Sequence, residues 1–299
     1  FKQNKEIMKK IKRIVVKEFH GLSIDTRTLK KNNIFLTIKG RHYDGIKFIS
    51  QALKKGAKYI VSSKKIKKHK DKVIKVDNEI SFLNNFASQK RAKSKAKIIA
   101  ITGSAGKTSL KNLLKDQLDS FGKTFCSPKS FNNYLGVPLS LSELNAAHQF
   151  GVFEVGMSKA GEIHSLSKLI EPHVGIITNI GEAHIENFKN LNGIAKAKSE
   201  IINNIKKDGT LILNRDDKYF NYFKKKAKLN NLSVFSFGIN KKSDVHPISI
   251  NKTKKEKQLT LKINGQNFKL KIKDQNIHNV LATLTLLKVL NLNFFKTVY

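Results

Sequence analysis

A loop of small residues that ends in Lys107 and Thr108 has the clearest capacity for chemistry in this sequence. It lies in the stretch KIIAITGSAGKTSL, residues 97–110. Because glycine, serine and alanine carry little side chain, the backbone N–H groups of such a loop can close around phosphate oxygens. Lys107 would then reach the outer phosphates of a nucleotide, and the Thr108 hydroxyl would bind their Mg²⁺. The stretch therefore predicts a nucleotide site at Gly103, Ser104, Ala105, Gly106, Lys107, Thr108 and Ser109.

The residues on either side predict the elements that would position this loop. Ile98–Ile101 is a short apolar, β-branched run, which is typical of a buried parallel strand. The residues from Lys107 onward predict a helix, whose first turn would add partial positive charge at the phosphates. Its apolar face would be formed by Leu110, Leu113, Leu114 and Leu118. Only two residues separate the glycines, where the common loop has four, so a chance match in an ordinary strand–turn–helix connection is the alternative.

The rest of the chain alternates strand-like and helix-like segments, which predicts an α/β protein. After residue 97, strands are predicted at 98–102, 150–155, 174–178, 210–214 and 234–237, and helices at 107–120, 161–170, 191–206 and 217–228. This order indicates a doubly wound, mostly parallel sheet, in which ligands bind beyond the carboxyl ends of the strands. A hairpin around Asn264-Gly265 (258–272) and a helix at 277–290 follow.

A smaller α/β domain is predicted before this sheet. Strands are expected at 34–38, 59–61 and 73–76, and helices at 46–53 and 80–92. The basic segment KRAKSKAK (90–97) has no apolar period and is interpreted as a linker. We therefore place the domain boundaries at 1–95 and 96–299.

Polar residues follow the predicted strands of the second domain. Glu154 follows one strand, Gly181–His184 another and Asn214–Asp217 a third. A carboxylate at this edge could complete the coordination of a nucleotide Mg²⁺, which takes one or two protein carboxylates and keeps waters. Taken singly, Glu154 could instead be a surface acid and His184 a structural histidine, so only their joint placement favours function.

Composition limits the classes of function. The formal net charge of +36 suggests an anionic partner such as nucleic acid, but only five of the 58 basic residues are arginines. Base readout favours arginine and single-strand binding favours aromatic side chains, so lysine-rich solvated surfaces explain the charge better. The one cysteine, Cys126, excludes an intramolecular disulfide and fits a reducing compartment. No apolar run is long enough for a membrane span, and the first residues lack the apolar core of a signal peptide.

The sequence resembles the Mur ligases. The resemblance is carried by TGSAGKTSLKNLL (102–114), SPKSFNNYLGVPLSL (127–141), FEVGMSKAGEI (153–163), GEAHIENF (181–188) and AKAKSEI (195–201). The short-spaced TGxxGKT loop is that family's own form. SIDTRTLKKNNIFLTIKGRHYDGIKFISQAL (23–53) resembles the family's uridine-nucleotide-binding domain, so nearly the whole chain is covered.

The resemblance implies roles for individual residues. Lys107 would bind the β- and γ-phosphates of ATP, and Thr108 and Glu154 the first of two Mg²⁺ ions. His184 would hold the second ion, oriented by a carbamate on Lys198; burial would favour the neutral amine that carbamylation needs. Lys107, His184 and Lys198 would be the catalytic residues. Contacts to the nucleotide or the substrate are implied for Asn279, Asn132, Asn133, Ser23, Asp25, Thr26, Arg27 and Lys39.

The resemblance also implies a reaction. Within the family, the FNNxxGVP, EVGMS and AHIENF forms are those of the ligases that join D-alanyl-D-alanine to UDP-N-acetylmuramoyl-tripeptide. A substrate carboxylate would take the γ-phosphoryl group of ATP, and the dipeptide amine would displace phosphate from the acyl phosphate. A cytoplasmic monomer of peptidoglycan synthesis, with no nucleic-acid partner, is implied. The family's C-terminal domain is not matched within these 299 residues.

Two other functions stay open on the sequence. One is a different Mur-type or folylpolyglutamate-type ligase with the same ATP-binding core. The other is a basic nucleic-acid-binding P-loop ATPase, whose affinity would fall steeply with added salt.

Overall fold

A computed structural model describes residues 21–40, 43–183, 185–252, 257–263, 266–273 and 275–293. The chain forms two compact units. Of the described residues, those within 21–94 and 138–146 form the first, and those within 95–137 and 147–293 form the second. Each unit has its own sheet, and the α/β class predicted from the sequence is confirmed.

The first unit contains a parallel four-stranded sheet. Its strands lie side by side in chain order: β1 (Leu22–Ser23), β2 (Ile34–Leu36), β3 (Tyr59–Ser62) and β4 (Val73–Lys75). The helices are α1 (Ile49–Lys54), which follows a 3₁₀ turn at Gly45–Phe48, and α2 (Glu79–Lys93), which follows β4; another 3₁₀ turn lies at Lys70–Lys72. A core of Phe35, Ile49, Ala52, Ala57 and Ile60 joins sheet and helix. The predicted strands and helices of this unit are confirmed. β1 was not predicted, because two residues are too few to show an alternating pattern.

The interpretation of residues 90–97 as a linker is wrong. Residues 90–93 form the last turn of α2, and Arg91 is only 3% exposed. Lysine and arginine are favoured in the last turn of a helix because they complement its dipole. The basic composition therefore marks a helix C-terminus, and only 94–96 separate α2 from the next strand.

The second unit is built on a six-stranded parallel sheet. In chain order its strands are β5 (Lys97–Thr102), β6 (Thr124–Cys126), β7 (Phe150–Glu154), β8 (Val174–Ile177), β9 (Thr210–Asn214) and β10 (Ser233–Phe237). They lie side by side in the order β10-β9-β8-β5-β7-β6. Most of their residues are buried, as expected for a parallel sheet covered on both faces.

The strand order reverses at β5. The chain first builds the sheet on the β7 side and then crosses to β8, on the other side of β5. Ile101 lies opposite Glu154 of β7, and Thr102 lies opposite Ile177 of β8. Ligands of open α/β sheets bind at the carboxyl ends of the strands where the order reverses. In this sheet that position is taken by residues 103–106.

α-Helices lie between and after these strands along the chain. They are α3 (Lys107–Asp119), α4 (Gly136–Ser142), α5 (Glu162–Ile170), α6 (Leu191–Lys198), α7 (Phe220–Leu229) and α8 (Ile277–Val289). Shorter 3₁₀ turns lie at Ile185–Asn187 and Ser199–Asn204, so the helix predicted over 191–206 is α only in its first half. In α3, Leu110, Leu114 and Leu118 are fully buried, which confirms the predicted apolar face.

An antiparallel sheet comes before α8. It consists of β11 (Pro247–Lys252), β12 (Lys257–Ile263) and β13 (Gln266–Ile272). The pairing of Ile263 with Gln266 confirms the predicted hairpin, although its turn, Asn264-Gly265, lies outside the described residues. Buried side chains of β12 and β13 join the core that contains α3 and α8. β6, β11 and α4 were not predicted.

Residues Pro138–Ala146 group with the first unit, a feature that the expected boundaries at 1–95 and 96–299 do not include. Two contacts account for this. The backbone N–H of Leu22 donates a hydrogen bond to Ser142 Oγ at 3.0 Å. The ammonium of Lys30 lies 2.8 Å from the carboxylate of Glu143.

None of the helices in the described part of the chain has the length and apolar character needed to cross a membrane.

Candidate functional site

The loop after β5 requires glycine at its first position. Gly103 has φ +149°, and a Cβ there would lie 1.9 Å from Thr178 Oγ1. Gly106 has φ +80° and directly precedes α3, with the Asn279 side chain 3.2 Å from where its Cβ would be. A side chain at either glycine would force the loop away from the sheet edge. The two glycines that the sequence singled out are therefore both needed by the backbone.

Residues that follow β8 hold the middle of the loop. Ser104 Oγ donates to the carbonyl of Gly181 at 3.0 Å and accepts from its N–H at 2.9 Å. The Ala105 N–H donates to Asn179 Oδ1 at 2.9 Å, and Thr178 Oγ1 donates to the Ala105 carbonyl at 2.7 Å. These bonds set the shape of the loop before any ligand binds. The first N–H groups of any α-helix have no acceptor within the helix, so those of α3 can donate hydrogen bonds to an anion.

Lys107 lies over this loop. Its amine donates to the carbonyl of Gly103 at 2.8 Å and to that of Ser104 at 3.4 Å. Burial lowers the pKa of Lys107, while the negative charge of Glu154 works in the opposite direction. The amine is thus a half-buried cation at the start of a helix, where a phosphate group would be stabilised.

Glu154, the last residue of β7, is bound by side chains from two other segments. Thr108 Oγ1 donates to its Oε2 at 2.8 Å, and Asn132 Nδ2 donates to its Oε1 at 2.8 Å. Glu154 is 2% exposed. A hydroxyl and a carboxylate in contact at the start of α3 are oxygen ligands of the kind that Mg²⁺ prefers. Both residues were predicted as metal ligands, and the fold brings them together.

Lys198 is the last residue of α6 and is 2% exposed. Burial, together with the positive charge of Lys107, lowers the pKa of Lys198 from its ordinary value of 10.5 to about 7. At neutral pH a large fraction of this amine is therefore uncharged. That is the state in which an amine reacts as a nucleophile.

Lys107 and Lys198 line one cavity of about 860 Å³. Asn132 and Asn133 lie in another part of its wall, and residues 156–162 form a further part. The Asn133 side chain also caps the turn that leads into α4. Its Oδ1 accepts hydrogen bonds from the N–H groups of Leu135 and Gly136 at 3.1 and 2.9 Å. The cavity thus joins residues predicted for the nucleotide to residues predicted for the substrate.

Asn279 lies beneath the loop at the start of α8. It is 6% exposed, and its Nδ2 donates to the carbonyl of Gly106 at 3.3 Å. Its neighbour His278 bonds Asp216 Oδ2 through Nε2 at 2.9 Å. Asn279 therefore contacts the loop 103–106 directly, while Ser109 is exposed in the first turn of α3.

The residues predicted to contact uridine diphosphate all lie in the first unit. The guanidinium of Arg27 bonds the carboxylate of Asp25 at 2.7 Å and lowers the pKa of that carboxyl. Ser23 Oγ donates to the Asp25 carbonyl at 3.0 Å, and Thr26 Oγ1 donates to Gln51 at 2.8 Å. Ser23 ends β1, and the other residues follow it. Lys39, which follows β2, pairs through its backbone with Asp44 in an isolated antiparallel β-bridge.

His184 lies outside the described residues, so its predicted place in a metal site stays a prediction. Within the described ranges, no group of three or more His, Cys, Asp or Glu side chains lies close enough together to hold a metal ion. Thr108 and Glu154 alone would leave most coordination positions of a Mg²⁺ to water and phosphate. This is the usual way in which nucleotide Mg²⁺ is bound.

Sequence reasoning missed residues that shape this site. Asn179 and Thr178 hold the loop, and their position directly after the VGII strand was a signal that could have found them. Lys111 is 1% exposed, and its amine lies 4.0 Å from Glu154 Oε2. Its position four residues after Lys107, on the same helix face, was the corresponding signal.

Family comparisons agree with this geometry. The model described as the Mur ligase middle domain matches residues 101–287, which is more than half of the chain. The chain belongs to the Mur ligase family. A second model, described as the catalytic domain of the Mur ligase family, matches residues 18–91. The family resemblance inferred from the motifs is confirmed.

Individual Mur ligases are similar over much of the chain. A UDP-N-acetylmuramoyl-tripeptide–D-alanyl-D-alanine ligase from Buchnera aphidicola subsp. Acyrthosiphon pisum is 41% identical over 71% of this chain and 47% of its own length. A ligase of the same name from Rickettsia prowazekii is 39% identical over 74% of this chain and 50% of its own. A crystal structure of MurF from Acinetobacter baumannii superposes with a TM-score of 0.82 at 29% identity, covering 92% of this chain and 60% of that one. The chain thus spans about half the length of these curated relatives.

Proposed function

We propose that this Mur ligase joins D-alanyl-D-alanine to UDP-N-acetylmuramoyl-tripeptide in an ATP-dependent reaction of peptidoglycan precursor synthesis. The observation that carries the proposal is the cavity shared by Lys107, Lys198 and Asn132. Its wall contains Lys107, which would bind phosphate, and Lys198, whose pKa is lowered to about 7. The names of the similar ligases from Buchnera and Rickettsia support the same reaction. The reducing compartment that a single cysteine fits would be the cytoplasm.

The phosphate loop would bind ATP. Its preset backbone and the first turn of α3 would receive the phosphates, and Lys107 would leave the carbonyl of Gly103 to contact them. As charge shifts during transfer of the γ-phosphoryl group to the substrate carboxylate, the Lys107 ammonium would stabilise the transferring oxygens. The cavity would hold the carboxylate in line, because positioning supplies much of such a rate enhancement.

Thr108 and Glu154 would hold the Mg²⁺ of the nucleotide. The fit rests on their hydroxyl–carboxylate contact at 2.8 Å, which brings two oxygen ligands together beside the loop. When bound, Mg²⁺ would neutralise charge on the phosphates. Asn132 would orient the carboxylate through its hydrogen bond to Oε1. A second ion with His184 as a ligand remains part of the proposal.

Lys198 would react with CO₂ to form a carbamate. The neutral amine attacks the carbon of CO₂, a C–N bond forms while one C=O π bond opens onto its oxygen, and the nitrogen releases one proton to solvent. The pKa of about 7 keeps the reactive neutral form available at neutral pH. The product is an anion in place of a cation, which converts a group that repels Mg²⁺ into one that attracts it.

Residues 1–95 would bind the uridine nucleotide and 96–299 would bind ATP. In the first unit, Ser23, Asp25, Thr26, Arg27 and Lys39 lie at or after the carboxyl ends of two neighbouring strands of a parallel sheet, where such sheets bind ligands. To bind a diphosphate, Arg27 would have to break its ion pair with Asp25 or donate from guanidinium N–H groups that do not bond Asp25.

Calorimetric titration of these 299 residues tests both binding assignments. We expect UDP-N-acetylmuramoyl-tripeptide and Mg·ATP each to bind, and UDP-N-acetylglucosamine to bind more weakly than the tripeptide precursor. Turnover is measured on the longest natural chain that carries these residues, with D-alanyl-D-alanine, meso-diaminopimelate, L-lysine and L-glutamate as competing amines. The amide product is identified by mass spectrometry.

Formation of an amide only with D-alanyl-D-alanine would support the proposal. Preference for a single amino acid would indicate another Mur-type ligase, and glutamate addition to a folate would indicate the folylpolyglutamate-type reaction. Failure of both nucleotides to bind would overturn the assignment of the two units.

A further inference from the structure

Lys111 is a fully buried cation beside the candidate metal ligands. It lies one helical turn after Lys107 in α3, and its side chain is 1% exposed. Its amine donates to the carbonyl of Ser127 at 2.8 Å and also to the carbonyl of Lys129, and it lies 4.0 Å from Glu154 Oε2. A buried lysine needs such partners because an unpaired charge in the interior is strongly unfavourable.

The two carbonyls belong to a turn of unusual backbone conformation. Lys129 has φ +44°, in the left-handed region that residues other than glycine rarely adopt. The hydrogen bond from Lys111 to its carbonyl stabilises this turn. The segment that leaves the turn carries Asn132, whose side chain bonds Glu154 Oε1 at 2.8 Å. The Lys111 amine thus bonds the segment that carries Asn132.

The same turn also contacts the backbone around Glu154. Ser127 Oγ accepts a hydrogen bond from the Glu154 N–H at 3.3 Å, and the Asn132 carbonyl accepts one from the Gly156 N–H at 2.8 Å. A Cβ on Gly156 would lie 2.9 Å from the Asn132 side chain, so the two segments approach closely. Lys111 is thus joined to Glu154 by charge, and through the 127–132 segment by hydrogen bonds.

We propose that Lys111 is a positioning residue that holds the Glu154 carboxylate, through the 127–132 segment, in the orientation needed to bind the nucleotide Mg²⁺. This inference rests on the proposed function, in which Glu154 is a metal ligand. Partners behind a metal ligand fix its orientation, and their loss weakens metal binding. Among the described residues, the Lys111 amine donates hydrogen bonds to the carbonyls of Ser127 and Lys129 and to none in the loop 103–106.

The test compares ADP binding with saturating Mg²⁺ and with EDTA, by calorimetry, in native protein and Lys111→Met. We expect the variant to bind metal-free ADP like the native protein, while the Mg²⁺-dependent gain in affinity falls by roughly 10- to 100-fold. Lys115→Met is the matched control. Lys115 lies one turn further along α3, is 43% exposed and pairs with Asp119 at 2.7 Å, so its replacement should leave both affinities unchanged.

Two results would overturn the role of Lys111. An unchanged Mg²⁺-dependent gain in Lys111→Met would show that Glu154 needs no such partner. A larger gain would show that Lys111 acts only as a competing positive charge. The absence of any Mg²⁺-dependent gain in the native protein would instead count against the proposed function. Thermal unfolding of the variants would then still test the role of Lys111.

Thermal unfolding without nucleotide or metal provides that independent measurement. Lys111→Met removes the ammonium that lies 4.0 Å from the buried carboxylate of Glu154, whereas the double variant Lys111→Met/Glu154→Gln removes both charges of this pair. We expect the midpoint of the double variant to lie above the value that the two single shifts predict by addition. Midpoint shifts that simply add would overturn the inferred coupling between Lys111 and Glu154. If Lys111→Met does not fold, a folded double variant supports the inference and an unfolded one overturns it.

Discussion

The hydroxyl of Thr108 and the carboxylate of Glu154 meet at 2.8 Å, although 46 residues of chain separate them. Thr108 lies in the first turn of α3 and Glu154 ends β7, and both the end of β7 and the loop before α3 lie at the carboxyl edge of the sheet. The contact brings together the two oxygen ligands that the proposed Mg²⁺ site requires. Breaking it selectively should therefore separate metal binding from nucleotide binding.

Thr108→Val should remove the metal-dependent part of nucleotide affinity, because valine has the shape of threonine without its hydroxyl. Changes behind a metal ligand typically cost roughly 10- to 100-fold in affinity, and the loss of the ligand itself should cost at least as much. Calorimetry of ADP with Mg²⁺ and with EDTA measures the effect. Thr108→Ser keeps the hydroxyl and should retain the gain; equal losses in both variants would contradict the assignment.

Lys107→Ala should reduce ATP turnover by on the order of 10²–10³-fold, because one charged donor to the transferring phosphoryl group is removed. Circular dichroism should report an unchanged fold, since the Lys107 amine bonds only loop carbonyls. Lys115→Ala in the same helix is the control and should turn over normally. Near-native turnover by folded Lys107→Ala would exclude the loop from the reaction.

Lys198→Ala should lose far more ligase activity than Lys196→Ala, two positions earlier in α6. Lys196 is exposed, whereas Lys198 is buried and lines the cavity. Native mass spectrometry in bicarbonate should detect the added mass of a carbamate on the native chain and on Lys196→Ala. Its absence from Lys198→Ala would identify the site, and equal activities of the two variants would refute the role of Lys198.

Lys198 should also destabilise the fold in a pH-dependent way. Its pKa is about 7 in the folded chain against an ordinary value of 10.5, so the unfolded chain binds more protons between these values and stability rises with pH across that window. Lys198→Met should therefore raise the midpoint of thermal unfolding most at or below pH 7, in buffer free of CO₂. The gain should shrink as the pH approaches 10.5. A gain that is independent of pH would contradict the assigned shift.

Gly103→Ala should disrupt the phosphate loop. The new Cβ would lie 1.9 Å from Thr178 Oγ1, and φ is +149°, so strain on the order of 1–3 kcal/mol is expected in addition to the steric overlap. Denaturant unfolding measures the loss, and calorimetry should detect no ATP binding. Gly181→Ala is the control, because its Cβ would make an ordinary contact of 3.6 Å with Ser104. Equal stabilities of the two variants would show that the loop can move at little cost.

Strong local periodicity made most of the fold predictable. The apolar run of β5 matches only the pattern of a buried strand, and the spacing of the leucines of α3 matches only that of a helix. The structure has both elements where they were predicted. Short or polar elements were missed: β1 has two residues and β6 three, which is too few for a pattern. The turn of α2 at 90–93 was hidden by its lysines, because a buried Arg91 is not distinguishable by composition from an exposed one.

The candidate site was predictable where a residue's chemistry depends on its immediate neighbours. Gly103, Gly106 and Lys107 belong to such a local motif, since a loop between a strand and a helix sets their positions. Asn279 was predicted only from the family resemblance, and the fold places it under Gly106. Lys198 is chemically distinctive only because it is buried.

The order of residues along the chain is sufficient to predict an α/β fold, a phosphate-binding loop and membership of the Mur ligase family, because these depend on short-range patterns. The pairing of Glu154 with Thr108, the burial of Lys111 and the lowered pKa of Lys198 depend on segments distant in sequence. Desolvation and electrostatic interactions arise only when the folded chain excludes water and brings charges within a few ångströms. For that reason one lysine among many has a lowered pKa and another is a buried cation, with nothing in their local sequence to separate them.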